Sequence, residues 1–413
     1  MPVRKWKEVQ EVLRKVIQSK MKLQVPGFVA GAVAAGLKKE GKKDLGIILS
    51  EVPACVAGVF TANKVQAAPV LLDKKRIKSG RCQAIVANSG NANACTGKQG
   101  IEDAEAVAAA AATALGIPED LVLVASTGVI GQPLNVSAIE AVLPKLARQL
   151  SPTGLYDIAQ AIMTTDTFPK TVSKQGRVGD KNFTVAAVAK GAGMILPNMA
   201  TMLCFVCTDM GAGPDLLGQA LKNAVVTSFN TITIDGDTST NDTALLLANG
   251  LSGLNLKEVA CASAFQIILN EVLLTLALQI VRDGEGATKL VSIQVAGASS
   301  KADAATVAYT VANSPLVKTA LFGEDANWGR IMAAVGRAGI PINPDTVDIY
   351  FDDVCTVKNG QGCGRQAETA ATTVLKTDRF TITIDLKLSS EAATVHTCDL
   401  STDYVRINAD YRS

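Results

Sequence analysis

Histidine is almost missing from this sequence: His396 is the only one in 413 residues. A multi-histidine metal centre is therefore excluded, and any Ser-His-Asp or Cys-His catalyst would have to run through that single residue. Aromatic residues are scarce at 4%, which argues against base-stacking platforms for nucleic acid. No charge sign dominates either. The 40 Lys+Arg against 38 Asp+Glu leave a net +2, too little to grip a phosphate backbone. What is abundant is apolar: 48% hydrophobic residues against 19% charged ones build a large core and exclude a disordered chain. At roughly 100–200 residues per domain, two or three packed units are expected.

Nine cysteines form an odd count without framework spacing, and the start of the chain does not read as a secretory signal. Reduced thiols in a cytoplasmic protein are the expectation. Cys204 and Cys207 make a C-x-x-C, but Leu203-Cys204-Phe205-Val206-Cys207 reads as a buried strand, and residues three apart on a strand face opposite sides. They read as core thiols, and no metal or other cofactor is expected. The apolar stretch 259–281 carries Gln266, Asn270, Glu271 and Gln279, so it reads as a buried helix and no membrane partner is expected. Residues 1–25 read as a basic amphipathic helix set before the fold proper. Glu8 and Glu11 count against the alternative, an organellar presequence.

Short β-branched runs alternate with alanine-rich helical stretches. Strands are expected at 45–49, 84–87, 121–125, 183–189, 203–208, 347–351 and 380–386, and helices at 101–115, 137–150, 216–227, 257–282 and 327–337. This alternation implies a layered α/β fold. Polar-apolar alternation in Thr381-Ile382-Thr383-Ile384 favours mixed sheets, sandwiched by helices, over purely parallel ones. No linker marks a boundary. The working division is a larger α/β domain at 26–289, a smaller one at 290–390 and a C-terminal segment at 391–413.

Common motifs fail on spacing. Between Gly90 and Gly97 six residues intervene and Gln99 follows Lys98, so no phosphate loop forms. No dinucleotide fingerprint follows a strand, and the Gly-x-Ser-x-Gly elbow is missing. Asp235, Asp237 and Asp242 lack a calcium-loop register and read as a polar turn.

One segment resists a purely structural reading: Lys190-Gly191-Ala192-Gly193-Met194-Ile195-Leu196-Pro197-Asn198-Met199-Ala200-Thr201-Met202-Leu203. A chain without a usable histidine base needs another activator for a hydroxyl nucleophile. A threonine can use its own α-amino group, which titrates near 7.7–8.0 once the preceding bond is broken. A small-Thr junction can break itself. The Thr201 hydroxyl attacks the Ala200 carbonyl, the acyl group shifts from nitrogen to oxygen, and water opens the ester. An ordinary loop between two strands is the competing reading of the same residues.

This segment closely resembles the self-cleavage motif of the ornithine acetyltransferase (glutamate N-acetyltransferase) family of arginine biosynthesis. Residues 163–170, Met-Thr-Thr-Asp-Thr-Phe-Pro-Lys, resemble its Thr-Thr-Asp-Thr block, and 88–97, 126–131, 230–242, 284–289, 323–331 and 404–413 resemble further blocks in the same order. The resemblance runs from about Pro26 to the last residue. It implies the fold shared with related aminopeptidases, cleavage between Ala200 and Thr201, and an α chain (1–200) with a β chain (201–413). Thr201 is then the nucleophile of a ping-pong transfer of acetyl from N-acetylornithine to glutamate.

The resemblance further implies an oxyanion hole of Thr127 and Gly128, in a loop after the strand at 121–125. It implies substrate contacts from Thr167, Lys190, Thr201, Glu285, Asn408 and Ser413, and an α2β2 assembly. Lys190 suits a substrate α-carboxylate. Glu285, between two glycines, is expected in an exposed loop, where it could pair with the substrate's amino group or assist proton transfer. Asn408 and Ser413 require the C-terminal stretch to fold back over the site. Ser413 stands where the family often has Thr, and Ala192 where Ser is common. His396 maps to no catalytic position and reads as structural. Whether acetyl-CoA also serves as a donor stays open, and a threonine-nucleophile amidase is the alternative chemistry.

Overall fold

A computed structural model describes residues 23–38, 41–196 and 202–410, so residues 1–22 of the expected N-terminal helix, the Ala200–Thr201 junction and Ser413 lie outside the described residues, while 23–25 are described and not helical. The described chain divides into two compact units. The first gathers residues up to 190 with 202–225 and 240–276; the second gathers 191–196, 226–239 and 277–410. Both are discontinuous, whereas the sequence suggested contiguous blocks meeting at 289/290.

The strands of the first unit are β1 (Phe28–Val33), β2 (Leu45–Phe60), β3 (Arg81–Asn91), β4 (Val122–Val129), β5 (Lys170–Val178), β6 (Lys181–Lys190), β7 (Leu203–Thr208) and β8 (Thr243–Ala248). Their order is β4-β3-β2-β8-β7-β6-β5, with β1 also on β2. The pairs β3–β4 and β7–β8 are parallel and the others antiparallel, which makes the sheet mixed as the alternating patterns implied. The helices are α1 (Ala68–Arg76), α2 (Gly97–Leu115), α3 (Val136–Ala147), α4 (Leu155–Ala161), α5 (Pro214–Val226) and α6 (Val259–Arg282), the last counting with this unit through Leu276.

The period of two along a strand sets the layers. Leu123 and Ala125 of β4 join a cluster with Leu155 and Ile158 of α4, whereas Val122 and Val124 join one with Ala108 of α2 and Leu143 of α3. Helices therefore cover both faces. By length and composition α6 could cross a membrane, yet Phe265, Leu269, Val272 and Leu273 are fully buried. Phe265 also lies against Phe183 of β6, ring centroids 6.1 Å apart. It is a core helix of the folded chain.

The second unit has β9 (Leu290–Ala298), β10 (Asp348–Phe351), β11 (Val354–Lys358), β12 (Gln361–Gly362), β13 (Arg379–Asp385) and β14 (Glu391–Cys398) in the order β12-β11-β10-β13-β9-β14. β13 runs parallel to β9 and antiparallel to β10. The helices α7 (Lys301–Ala312), α8 (Pro315–Phe322), α9 (Trp328–Gly336) and α10 (Arg365–Leu375) precede the C-terminal α11 (Thr402–Ala409). Local chemistry starts these helices. The side chains of Ser300, Ser314, Asn327 and Ser401 accept from the first-turn amides of α7, α8, α9 and α11. Val307 and Val311 of α7 share a core with Ile293 of β9 and Ile384 of β13.

Candidate active site

The described site residues fall into two groups, one in each unit. In the first unit β3 and β4 run parallel, so Ser89 stands opposite Thr127 and Gly90 opposite Gly128. Thr127 and Gly128 thus lie on β4 itself and not in a loop beyond it. Their strand continues past Ala125 because β3 supplies hydrogen bonds that a Ser-Thr-Gly sequence does not advertise. Gly128 has φ +137, and a Cβ there would lie 2.3 Å from the Gly90 carbonyl carbon. Close backbone approach excludes any larger residue.

Lys190 ends β6 and is almost wholly buried, as is Thr127. Its Nζ donates to the Thr127 hydroxyl at 3.3 Å. With a lone pair taken by an ammonium, that hydroxyl is polarised to donate its own hydrogen. A buried amide network backs this strand end. Asn241 Nδ2 donates to the Ala92 and Ser126 carbonyls at 2.6 and 2.8 Å, and Ser126 Oγ donates to Asn88 Oδ1 at 2.6 Å. Asn88, Ser126 and Asn241 were not among the expected site residues. Their only sequence signal was membership of the blocks at 88–97, 126–131 and 230–242.

Thr167 is exposed and lines a recess of about 560 Å³ with Lys38, Lys42, Lys43, Thr164 and Asp166. Asp166 fixes the loop: one oxygen accepts from the Thr164 amide at 2.9 Å, and the other from Lys170 Nζ at 2.7 Å, both side chains of that ion pair being fully buried. Burial lowers the Lys38 amine to about 8, with Lys190 and Lys42 adding like charge against the opposing pull of Asp44 and Asp166. Lys42 and Lys43 add further basic groups to the rim, Lys43 in an ion pair with Asp157 at 2.7 Å.

In the second unit, Glu285 is half-buried rather than exposed. Its amide donates to the Ala192 carbonyl at 2.7 Å, and its carboxylate fills the space where a Cβ on Gly193 would sit, 2.5 Å from Oε2. Asn408 on α11 donates from Nδ2 to Glu285 Oε2 at 2.8 Å. The C-terminal stretch thus does return to Glu285. Asp235 accepts from the Met194 amide at 2.5 Å on Oδ2 and from the Ile195 amide at 2.9 Å on Oδ1. Tyr404 donates to Asp235 Oδ2 at 3.3 Å, and burial, with Asp235 and Glu285 adding negative charge, holds its phenol protonated far above the ordinary range.

His396 lies on β14, its Nδ1 3.0 Å from Ser292 Oγ, in a structural place as expected. Cys204 and Cys207 are both buried on β7, and burial pushes both thiols well up.

The model of the ArgJ family matches residues 29–413. The arginine biosynthesis bifunctional protein ArgJ of Geobacter sulfurreducens is 53% identical over 393 residues, covering 95% of this chain and all of that protein. Its namesake from Syntrophotalea carbinolica is 54% identical over 396 residues, again 95% of this chain and all of the relative. Among solved structures, the arginine biosynthesis bifunctional protein of Bacillus halodurans is 40% identical, covers 50% of this chain and 97% of its own, and superposes with a TM-score of 0.47. An ornithine acetyltransferase of Mycobacterium tuberculosis, solved with ornithine, is 38% identical, covers 44% and 98%, and gives 0.41.

Proposed function

The chain belongs to the ArgJ family, and from that premise we propose an acetyl-transfer cycle run by Thr201 after the chain has cut itself. It is an enzyme of arginine biosynthesis, an acyltransferase acting on small molecules. In the first step Thr201 Oγ bonds to the Ala200 carbonyl carbon. The peptide C–N bond breaks, and the hydroxyl proton passes to the freed nitrogen. Water then hydrolyses the ester, returning hydrogen to Oγ and leaving Ala200 as a carboxylate.

The second phase uses the liberated α-amine as base. Thr201 Oγ attacks the acetyl carbonyl of N-acetylornithine while the amine takes its proton. Collapse expels ornithine, whose nitrogen receives that proton, and leaves an acetyl ester on Thr201. Glutamate's amine attacks the ester, and the proton path runs in reverse. Thr127, with the hydrogen that Lys190 leaves free to donate, and the Gly128 amide stabilise the oxyanion in each direction. Lys190 also pairs with the substrate α-carboxylate, and Thr167 contacts substrate at the recess it lines. Glu285, held by Asn408, meets the substrate's side-chain amine, with Ser413 as a further contact.

One observation carries this reading. Leu203 stands opposite Lys190 in the β6–β7 ladder, and Lys190 reaches Thr127. Two of the positions expected at the site therefore meet at the strand end where the chain returns after the junction, and Thr201 precedes Leu203 by two residues in sequence. As part of the same proposal, the α and β chains form an α2β2 assembly in the cytoplasm, in keeping with nine unpaired cysteines.

Intact mass and N-terminal sequencing test the proposal. Wild type should yield two chains, one beginning Thr201-Met202-Leu203, while Thr201→Ala should stay a single inactive 42.9 kDa species and Thr201→Ser should cut more slowly. An active, uncut wild type would sink it. Assays with N-acetylornithine, with and without glutamate, and with acetyl-CoA then fix the donors. Acetate released without glutamate would instead mark a hydrolase.

A further inference from the structure

Twelve residues, 191–202, separate the ladder partners Lys190 and Leu203. Attack of a hydroxyl on the preceding carbonyl requires a near-attack geometry of roughly 3–3.5 Å, so what fixes the ends of this segment bears on the step. Two aspartates restrict the segment, each within its own unit. On the entry side Asp235 accepts from the amides of Met194 and Ile195 at 2.5 and 2.9 Å. The Ile195 carbonyl in turn accepts from the Ile234 amide at 2.9 Å and the Thr233 hydroxyl at 3.1 Å. On the exit side Asp242 Oδ1 accepts from the Met202 amide at 2.9 Å, and the Met202 carbonyl from the Thr243 amide at 3.0 Å. Only residues 196–201 remain between these anchors.

Met194 sits at φ +59, where a non-glycine residue is strained. It is held there by a carboxylate that bonds both its own amide and the next one. Such charge-assisted bonds are among the stronger hydrogen bonds a loop can make. Tyr404 donates to the same Oδ2, and Gly193 leaves no room for a Cβ against Glu285, so the entry turn is fixed from several sides.

We propose that Asp235 and Asp242 are positioning residues for self-cleavage: their carboxylates hold the two ends of the junction segment, and Asp235 maintains the left-handed turn at Met194 that aims the chain into it. This rests on the self-cleavage reading above, and neither aspartate takes or gives a proton in the step.

The test follows cleavage of freshly synthesised full-length chain on denaturing gels, with the melting temperature of each variant as a control. Asp235→Ala and Asp242→Ala should each cut roughly tenfold more slowly or worse, the scale of a lost charge-assisted bond. Asp235→Asn, which keeps the shape and one acceptor, should fall between. Glycine tolerates positive φ unaided, so Met194→Gly in the Asp235→Ala background should recover much of the rate, which a merely structural defect would not permit.

A wild type that never cuts defeats the underlying reading. A wild type that cuts, with Asp235→Ala cutting equally fast, overturns this inference alone. If an alanine variant fails to fold, the asparagine variant at the same position, Asp235→Asn or Asp242→Asn, decides, and an unchanged rate there overturns the role given to that aspartate. Failure of glycine to rescue overturns the role given to the Met194 turn.

Discussion

Lys190 Nζ stands 3.3 Å from the Thr127 hydroxyl oxygen, and both side chains are buried. Under the proposed cycle they separate in kinetics. Thr127→Ala removes an oxyanion donor and should lower kcat by roughly 10²-fold, with little change in KM. Lys190→Ala removes a carboxylate partner and should raise KM for N-acetylornithine by about 10–100-fold. Steady-state kinetics on the two variants checks the split. Equal effects on both parameters would count against these roles.

Asp166 and Lys170 form an ion pair with no exposed side-chain surface. Asp166→Asn leaves the lysine charge buried without that carboxylate, which costs about 3–5 kcal/mol. Thermal or urea unfolding should show the loss. KM should rise as well, because the same carboxylate fixes the Thr164 amide beside the recess that Thr167 lines.

At position 128 a methyl group meets the backbone of β3 within 2.3 Å, and the residue would also be strained at φ +137. Gly128→Ala should therefore distort the β3–β4 end and abolish acetyl transfer, even in whatever fraction stays folded. Activity per folded molecule, normalised by circular dichroism, is the measurement. A fully active variant would rule out a rigid strand end here.

Burial, with Arg379 adding repulsion, lowers His396 from 6.5 to about 4. Between those values the unfolded chain binds a proton that the folded chain refuses. The stability is present in full above about pH 6.5 and is lost as pH falls toward 4. His396→Gln, which keeps a hydrogen-bonding partner for Ser292, should flatten the melting temperature's dependence on pH in that window. An unchanged acid slope would show that other groups govern it.

Much of the fold was legible where hydrophobic pattern and local propensity agreed. The run 203–208 is the strand β7, and the helices expected at 101–115, 216–227 and 257–282 are present within a few residues. Longer-range contacts wrote the rest. The strand expected at 45–49 continues to Phe60, past Pro53 and a register shift between Leu49 and Ala54, because β8 pairs its second half. Helix α1 was missed, its short run dominated by Asp73-Lys74-Lys75-Arg76. Neither division into discontinuous units nor their boundary inside α6 leaves a compositional mark.

The expected site residues came from the family blocks, whereas the side chains that support them left no such signal. Nothing local shows that Gly128 is glycine because β3 lies against it. Nothing local ties Asn241 to Ser126, or Asp235 to Met194, since these contacts join segments 40 or more residues apart.

The strand order carries one last implication. β7 and β8 follow residue 201, yet they lie between β2 and β6, which precede it. A scission at that point leaves two polypeptides woven through the eight-stranded sheet, so neither half holds that sheet complete. Under the proposed self-cleavage, maturation works as a ratchet. The intact precursor can regain its shape as one molecule, but a processed enzyme once melted must find its other half by collision, and its renaturation becomes dependent on dilution.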